Sequence, residues 1–122
     1  MESSLRRTSM LAFFVCAGAI LYIALAPVPD HPTLSYGDKL NHALAFFVLG
    51  SLGSIAWPAS ARALLGGLVG YGVLIELLQW PVPGHNADPL DVLADLVGAL
   101  LAMVLIKAWR AWVLRPREST AR

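Results

Sequence analysis

Residues 63–106 read ALLGGLVGYGVLIELLQWPVPGHNADPLDVLADLVGALLAMVLI, two apolar stretches joined by a turn rich in proline and glycine, with Glu76, Asp91 and Asp95 placed close to that turn. Ala63 to Trp80 and roughly Leu90 to Ile106 each approach the about 20 residues that a helix rising about 1.5 Å per residue needs to cross a bilayer core. Pro81 and Pro83 end the first stretch, and Gly84, His85, Asn86, Ala87, Asp88 and Pro89 form a short connection that favours antiparallel neighbours. A buried helix of a soluble protein is the competing reading, strongest for the last stretch, whose unbroken apolar run from Leu96 to Ile106 spans only 11 residues.

The rest of the chain argues against that competitor. Two further apolar segments precede the hairpin, Met10 to Ala26 and Leu40 to Trp57. Of 122 residues, 57% are apolar or aromatic and 14% charged, with a mean hydropathy of +0.65. Four such segments in so short a chain leave too little polar surface to cover a soluble bundle. The sequence therefore predicts one all-α domain over residues 1–122, a compact bundle of four transmembrane helices spanning about 9–26, 39–57, 62–80 and 90–108. Removal of the first segment as a signal peptide ending at Ala24-Leu25-Ala26 would leave three spans, but Pro27 at the new terminus opposes cleavage.

Charge sets the expected orientation. Arg6 and Arg7, Arg62, and Lys107, Arg110, Arg115, Arg117 and Arg122 come onto one side if the chain crosses four times. With Glu2 and Glu118 that side carries a net +6. Lys39 stands at the other side with Asp30, Asp38, Glu76, Asp88, Asp91 and Asp95, a net −5 hidden inside a formal total of +1. The positive-inside tendency makes the basic side cytoplasmic, with both termini there. The basic tail suits anionic inner-leaflet lipid, and nothing calls for a nucleic acid. Tyr22, Tyr36 and Trp80 on one side, and Trp57, Trp109 and Trp112 on the other, fit interfacial belts. The single Cys16 offers neither a disulfide nor a metal cluster and is expected to pack.

Polar groups converge at one depth. Asp38 and His42 are four apart on one face, Glu76 and Gln79 three apart, and Asp91 and Asp95 four apart with Gly98 and Ala102 continuing their stripe. Asp38 can cap the second helix, and Asp91 opens the fourth. Carboxylates one turn inside a membrane boundary are costly unless they face the bundle interior, a wet cleft or a partner. Two readings stand side by side: hydrogen bonds among His42, Glu76, Gln79 and Asp95 that lock the bundle, or a polar cleft that holds a ligand. On the second, His42, Glu76 and Asp95 are candidate catalytic acid/base groups, and Asp38, Lys39, His42, Glu76, Gln79, His85 and Asp91 candidate ligand contacts. The same set can bind a divalent cation, although neither HExxH nor a cysteine pair is present to specify one. Gly66 and Gly70 form a GxxxG pair that permits close helix packing, and Gly50, Gly53, Ser51 and Ser54 offer a similar small surface.

At these residues the chain resembles the VanZ-like family of small integral membrane proteins. The matching pieces are Asp38-Lys39-Leu40-Asn41-His42 followed by Phe46, Glu76 with Gln79, Pro83-Gly84, and Asp91-Val92-Leu93-Ala94 with Gly98, together covering about Asp38 to Ala102. His85 stands where the family commonly has arginine after Pro-Gly, and Asp95 where it has asparagine, which makes this mouth more negative. The resemblance implies a bacterial inner-membrane protein of the cell envelope, and the family's name comes from a protein associated with resistance to the glycopeptide teicoplanin. The function expected is binding or processing of a membrane lipid or a lipid-linked envelope molecule. The alternatives are a membrane-embedded hydrolase or transferase using histidine and carboxylates, and a non-catalytic subunit that assembles with its own copies or another membrane protein. The sequence names no cofactor.

Overall fold

The computed structural model describes residues 1–27 and 35–115. Asp30, Pro29, Pro32, Arg117, Glu118 and Arg122, and the side chain of Tyr36, lie outside that description. Four helices follow one another: α1 Glu2–Ala24, α2 Ser35–Ala56, α3 Ala61–Gln79 and α4 Pro89–Val113. All four are long and apolar enough to cross a membrane. The described residues contain no strand.

Local sequence explains the boundaries. Trp57 and Pro58 follow the end of α2, and Ser60 stands at the N-cap of α3. Asp88 caps α4: its side chain accepts the Leu90 amide at 2.9 Å, with Pro89 in the first turn where its missing N–H costs nothing. Asp91 lies in the first turn of α4, two residues after its start at Pro89, while the cap itself is Asp88. Asp38 is not a cap either, because α2 begins at Ser35 and places Asp38 within the first turn, where its charge still favours the positive helix end. Gly84 turns the α3–α4 connection with φ of 84°, a backbone conformation that a Cβ would strain. α1 starts well before its apolar run, at Glu2.

Cross-helix contacts fix the up-down order. Arg6 near the start of α1 donates to the Ala56 carbonyl at the end of α2 at 3.2 Å, while Gln79 at the end of α3 donates to Ala24 at the end of α1 at 3.0 Å. One end of the bundle therefore gathers the end of α1, the start of α2, the end of α3 and the start of α4. This is the acidic end. Lys107 and Arg110 lie 16 and 19 positions beyond Asp91 on α4, roughly 24–29 Å away along the helix.

α2 and α4 make the most extensive contact in the bundle. Small residues allow it: a Cβ on Gly98 would collide with the Ala43 carbonyl oxygen, and one on Gly50 would sit 3.0 Å from the Ala99 carbonyl oxygen. Phe46, Leu49, Leu64, Leu68, Ile75 and Ala99 form the core, with Cys16 and Trp57 packed at its margin. The outward surface is apolar, including Val73, Leu74 and Leu77 on α3 and Leu101, Val104 and Leu105 on α4. In water such a surface would drive aggregation; in hydrocarbon it is the required covering. The GxxxG pair takes no part in packing the bundle: Gly66, Gly67 and Gly70 face open space among the described residues. Its place as the close-contact device is held by Gly50, Gly53, Gly72 and Gly98.

Candidate functional site

The acidic end holds one imidazole among carboxylates from two other helices. His42, on the second turn of α2, directs Nδ1 to Asp95 Oδ1 of α4 at 2.9 Å. With that carboxylate accepting, Nδ1 carries a hydrogen and Nε2 is the ring nitrogen turned toward the cleft. On that side lie Asp91 Oδ2 at 3.9 Å and Glu76 Oε1 of α3 at 4.0 Å. These separations exceed hydrogen-bonding reach. Asp95, Asp91 and Glu76 are 1%, 3% and 8% exposed, so their charges are set by neighbours rather than by bulk water.

Each carboxylate is held by one oxygen. Asp91 Oδ1 accepts from Lys39 Nζ at 3.2 Å, and Glu76 Oε2 accepts the Asp88 backbone N–H at 2.9 Å. Lys39 also pairs with Asp88 at 2.7 Å. The Lys39 ammonium beside Asp88, helped by the Leu90 amide, holds the Asp88 carboxyl below the usual carboxylate range. The second oxygens behave differently. Glu76 Oε1 and Asp95 Oδ2 are buried and take no hydrogen bond among the described residues. Asp95 Oδ2 lies over Gly72, where a Cβ would stand only 2.6 Å from it, so the glycine makes room for the carboxylate.

A cleft of about 800 Å³ opens onto this cluster, with Ile20, Ile23 and Ala24 of α1 as one wall, Ile75 and Gln79 of α3 as the other, and His42 and Asp91 within. The thin contact between α1 and α3 creates it. A second, almost wholly apolar groove of about 560 Å³ follows the same seam toward the basic end, lined by Phe13, Phe14, Trp57, Leu64 and Leu68 among others. Tyr71 and Ala17 mark the boundary between them, the tyrosine hydroxyl donating to the Ala17 carbonyl. The arrangement can hold a polar head against fixed charge, with Ile20, Ile23 and Ile75 as apolar surface beside it.

The residues singled out from sequence divide into groups. His42, Glu76, Asp91 and Asp95 meet directly, with Lys39 behind Asp91. Asp38 stands exposed at the rim. Gln79 and His85 line the cleft, but each also reaches a carbonyl at the end of α1, Gln79 that of Ala24 and His85 that of Ala26 at 3.2 Å. Two contributors were not singled out. Asp88 joins Lys39, the α4 cap and Glu76 into one unit, and the Asp-Pro pair was a readable cap signal. Tyr71 ties α1 to α3, and nothing in its apolar surroundings foretold that. The family model described as VanZ/LLP1 matches residues 5–110, a range that contains every residue of this site. No curated protein and no solved structure matches the chain.

Proposed function

The chain belongs to the VanZ/LLP1 family, and on that premise we propose that it is a multi-pass protein of the bacterial inner membrane, both termini cytoplasmic, whose outward cleft binds or processes a lipid- or envelope-derived amphiphile. The observation that carries the reading is the cleft itself. Its floor is ionic, its walls combine Ile20, Ile23 and Ile75 with polar Gln79, Asn41 and Asn86, and it opens along a helix seam where a lipid can enter sideways. Lys39 is engaged by Asp88 and Asp91. Beside Lys39, the ionisable groups lining the cleft are Asp38, Asp88, Asp91, His42 and His85, and the carboxylates among them favour a head bearing hydroxyl or amine donors. The cell-envelope role and the link to glycopeptide susceptibility enter through the family resemblance.

Native mass spectrometry from gentle detergent tests this. Wild-type protein is expected to carry about one retained amphiphile per chain that Asp91→Asn and His42→Ala lose. Equal retention by all three would refute the assignment. A second reading, hydrolysis or group transfer, is favoured by the His42–Asp95 pair, in which Asp95 orients the imidazole and leaves Nε2 free to take a proton. Turnover of the retained amphiphile that vanishes in His42→Ala while retention persists would select it.

A further inference from the structure

We infer that His42 Nε2, Asp91 Oδ2 and Glu76 Oε1, with Asp38 at the rim, form a binding site for one divalent cation of the zinc or manganese class at the floor of the cleft. The donor atoms of Asp38, His42 and Asp91 lie within 4.8 Å of one another. An acidic cluster alone would not specify an ion. A separate observation does: Glu76 is 92% buried, and its Oε1 has no hydrogen-bond partner among the described residues while it faces the same imidazole nitrogen.

The distances leave Nε2 without a direct partner. A proton on Nε2 could bond neither Asp91 at 3.9 Å nor Glu76 at 4.0 Å. Donors about 2.1 Å from a common ion stand about 3.4 Å apart at the tetrahedral angle and close to 4 Å as the angle opens. The observed 3.9 and 4.0 Å separations are about 0.5 Å wider than that tetrahedral spacing, so the ligands would draw in on binding, with Asp38, exposed on the first turn of α2, turning in beside them. One imidazole with carboxylate oxygens suits a first-row ion better than magnesium or calcium, which favour all-oxygen sites.

The surroundings are those of a metal site as well. Every buried ligand is fixed from behind: His42 by Asp95, Asp91 by Lys39, and Glu76 by the Asp88 amide. Such outer partners orient ligands and raise their affinity. The three buried ligands come from α2, α3 and α4, so the ion would clamp the helices that meet at the mouth and leave positions facing the cleft for water or a headgroup oxygen. The site goes beyond the amphiphile reading, because all its ligands are protein atoms.

The experiment uses full-length protein in detergent, stripped with a chelator, freed of it, and titrated with manganese alone under electron paramagnetic resonance. One manganese per chain with a nitrogen coupling from the imidazole is expected. His42→Ala should remove that coupling and weaken binding by about 100-fold or more, and Asp95→Asn should keep the coupling but weaken binding by roughly 10–100-fold. Asp38→Asn, at an exposed position that leaves the fold intact, should weaken binding several-fold. Absence of stoichiometric binding to wild type, or affinities of His42→Ala and Asp38→Asn equal to wild type, would overturn the inference. No lipid enters the titration, so its failure leaves the amphiphile reading standing, and the converse also holds.

Discussion

The α2–α4 seam and the α1–α3 seam are opposite solutions to helix contact in one small bundle. The first is closed by backbone approach at Gly50 and Gly98, with Phe46, Leu49 and Ala99 filling the core around it. The second is crossed at Tyr71–Ala17 and Gln79–Ala24, with a cleft on either side of the tyrosine. The tight seam fixes His42 against Asp95; the loose one supplies access to them. Rigid charge placement and an entrance are thus assigned to different helix pairs, which a bundle packed equally on all sides could not provide.

The sharpest way to break this contrast is to add volume at the tight seam and, as its counterpart, on the open face of α3. Gly98→Leu should abolish accumulation of folded protein, since even Gly98→Ala forces a Cβ into the Ala43 carbonyl and should cost about 1–3 kcal/mol. Gly70→Leu should leave unfolding in mixed detergent unchanged, because its Cβ meets nothing in the chain. If the Gly70 variant proved the more damaging, α3 would pack through its GxxxG face on a partner, and the assembly-subunit reading would gain.

Next in size is the charge on the floor. Asp91→Asn should weaken amphiphile retention about tenfold or more, the scale of losing a hydrogen bond to a charged group, about 1.5–3 kcal/mol. Retained lipid counted by mass spectrometry checks it. Tyr71→Phe should cost only about 0.6–1.7 kcal/mol, the measured scale for side-chain bonds between membrane helices. It should also raise the thiol reactivity of Cys16, half-buried in α1 beside Ala17.

The smallest effect is a pH dependence at the rim. Because the Asp88 carboxyl is held down by Lys39, its stabilising contribution is complete above the ordinary carboxylate value of about 3.9 and is lost as pH falls through the lowered folded value. Wild type should therefore lose stability more steeply than Asp88→Asn below about pH 4, and the two should run parallel from there to neutrality. Thermal unfolding across that range measures the difference.

Much of this was legible because membrane physics leaves few choices. Segment length, prolines at 27, 58, 81 and 83, and the separation of basic from acidic ends were enough for the four-helix bundle. The grouping of His42, Glu76, Asp91 and Asp95 was readable from i, i+3 and i, i+4 spacing on helices whose order alternates. Pairings within it were not: spacing alone cannot say that Lys39 turns toward Asp88 and Asp91 while His42 takes Asp95. Nor could sequence tell which glycines touch. The GxxxG pair and Gly98 look alike as small residues, and only the helix rotation puts Gly98 on Ala43 and leaves Gly66 and Gly70 outward.

The proposed exposure of the cleft to water on the outer side is tested most directly with two cysteines one position apart, Ala45→Cys, which lines the cleft, and Leu44→Cys, which stands on the outward face of α2, in a Cys16→Ala background. A membrane-impermeant thiol reagent added outside spheroplasts should label residue 45 and spare residue 44, whose thiol lies in hydrocarbon. Equal labelling of both, or labelling of residue 45 only after the cytoplasmic side is opened, would contradict the account.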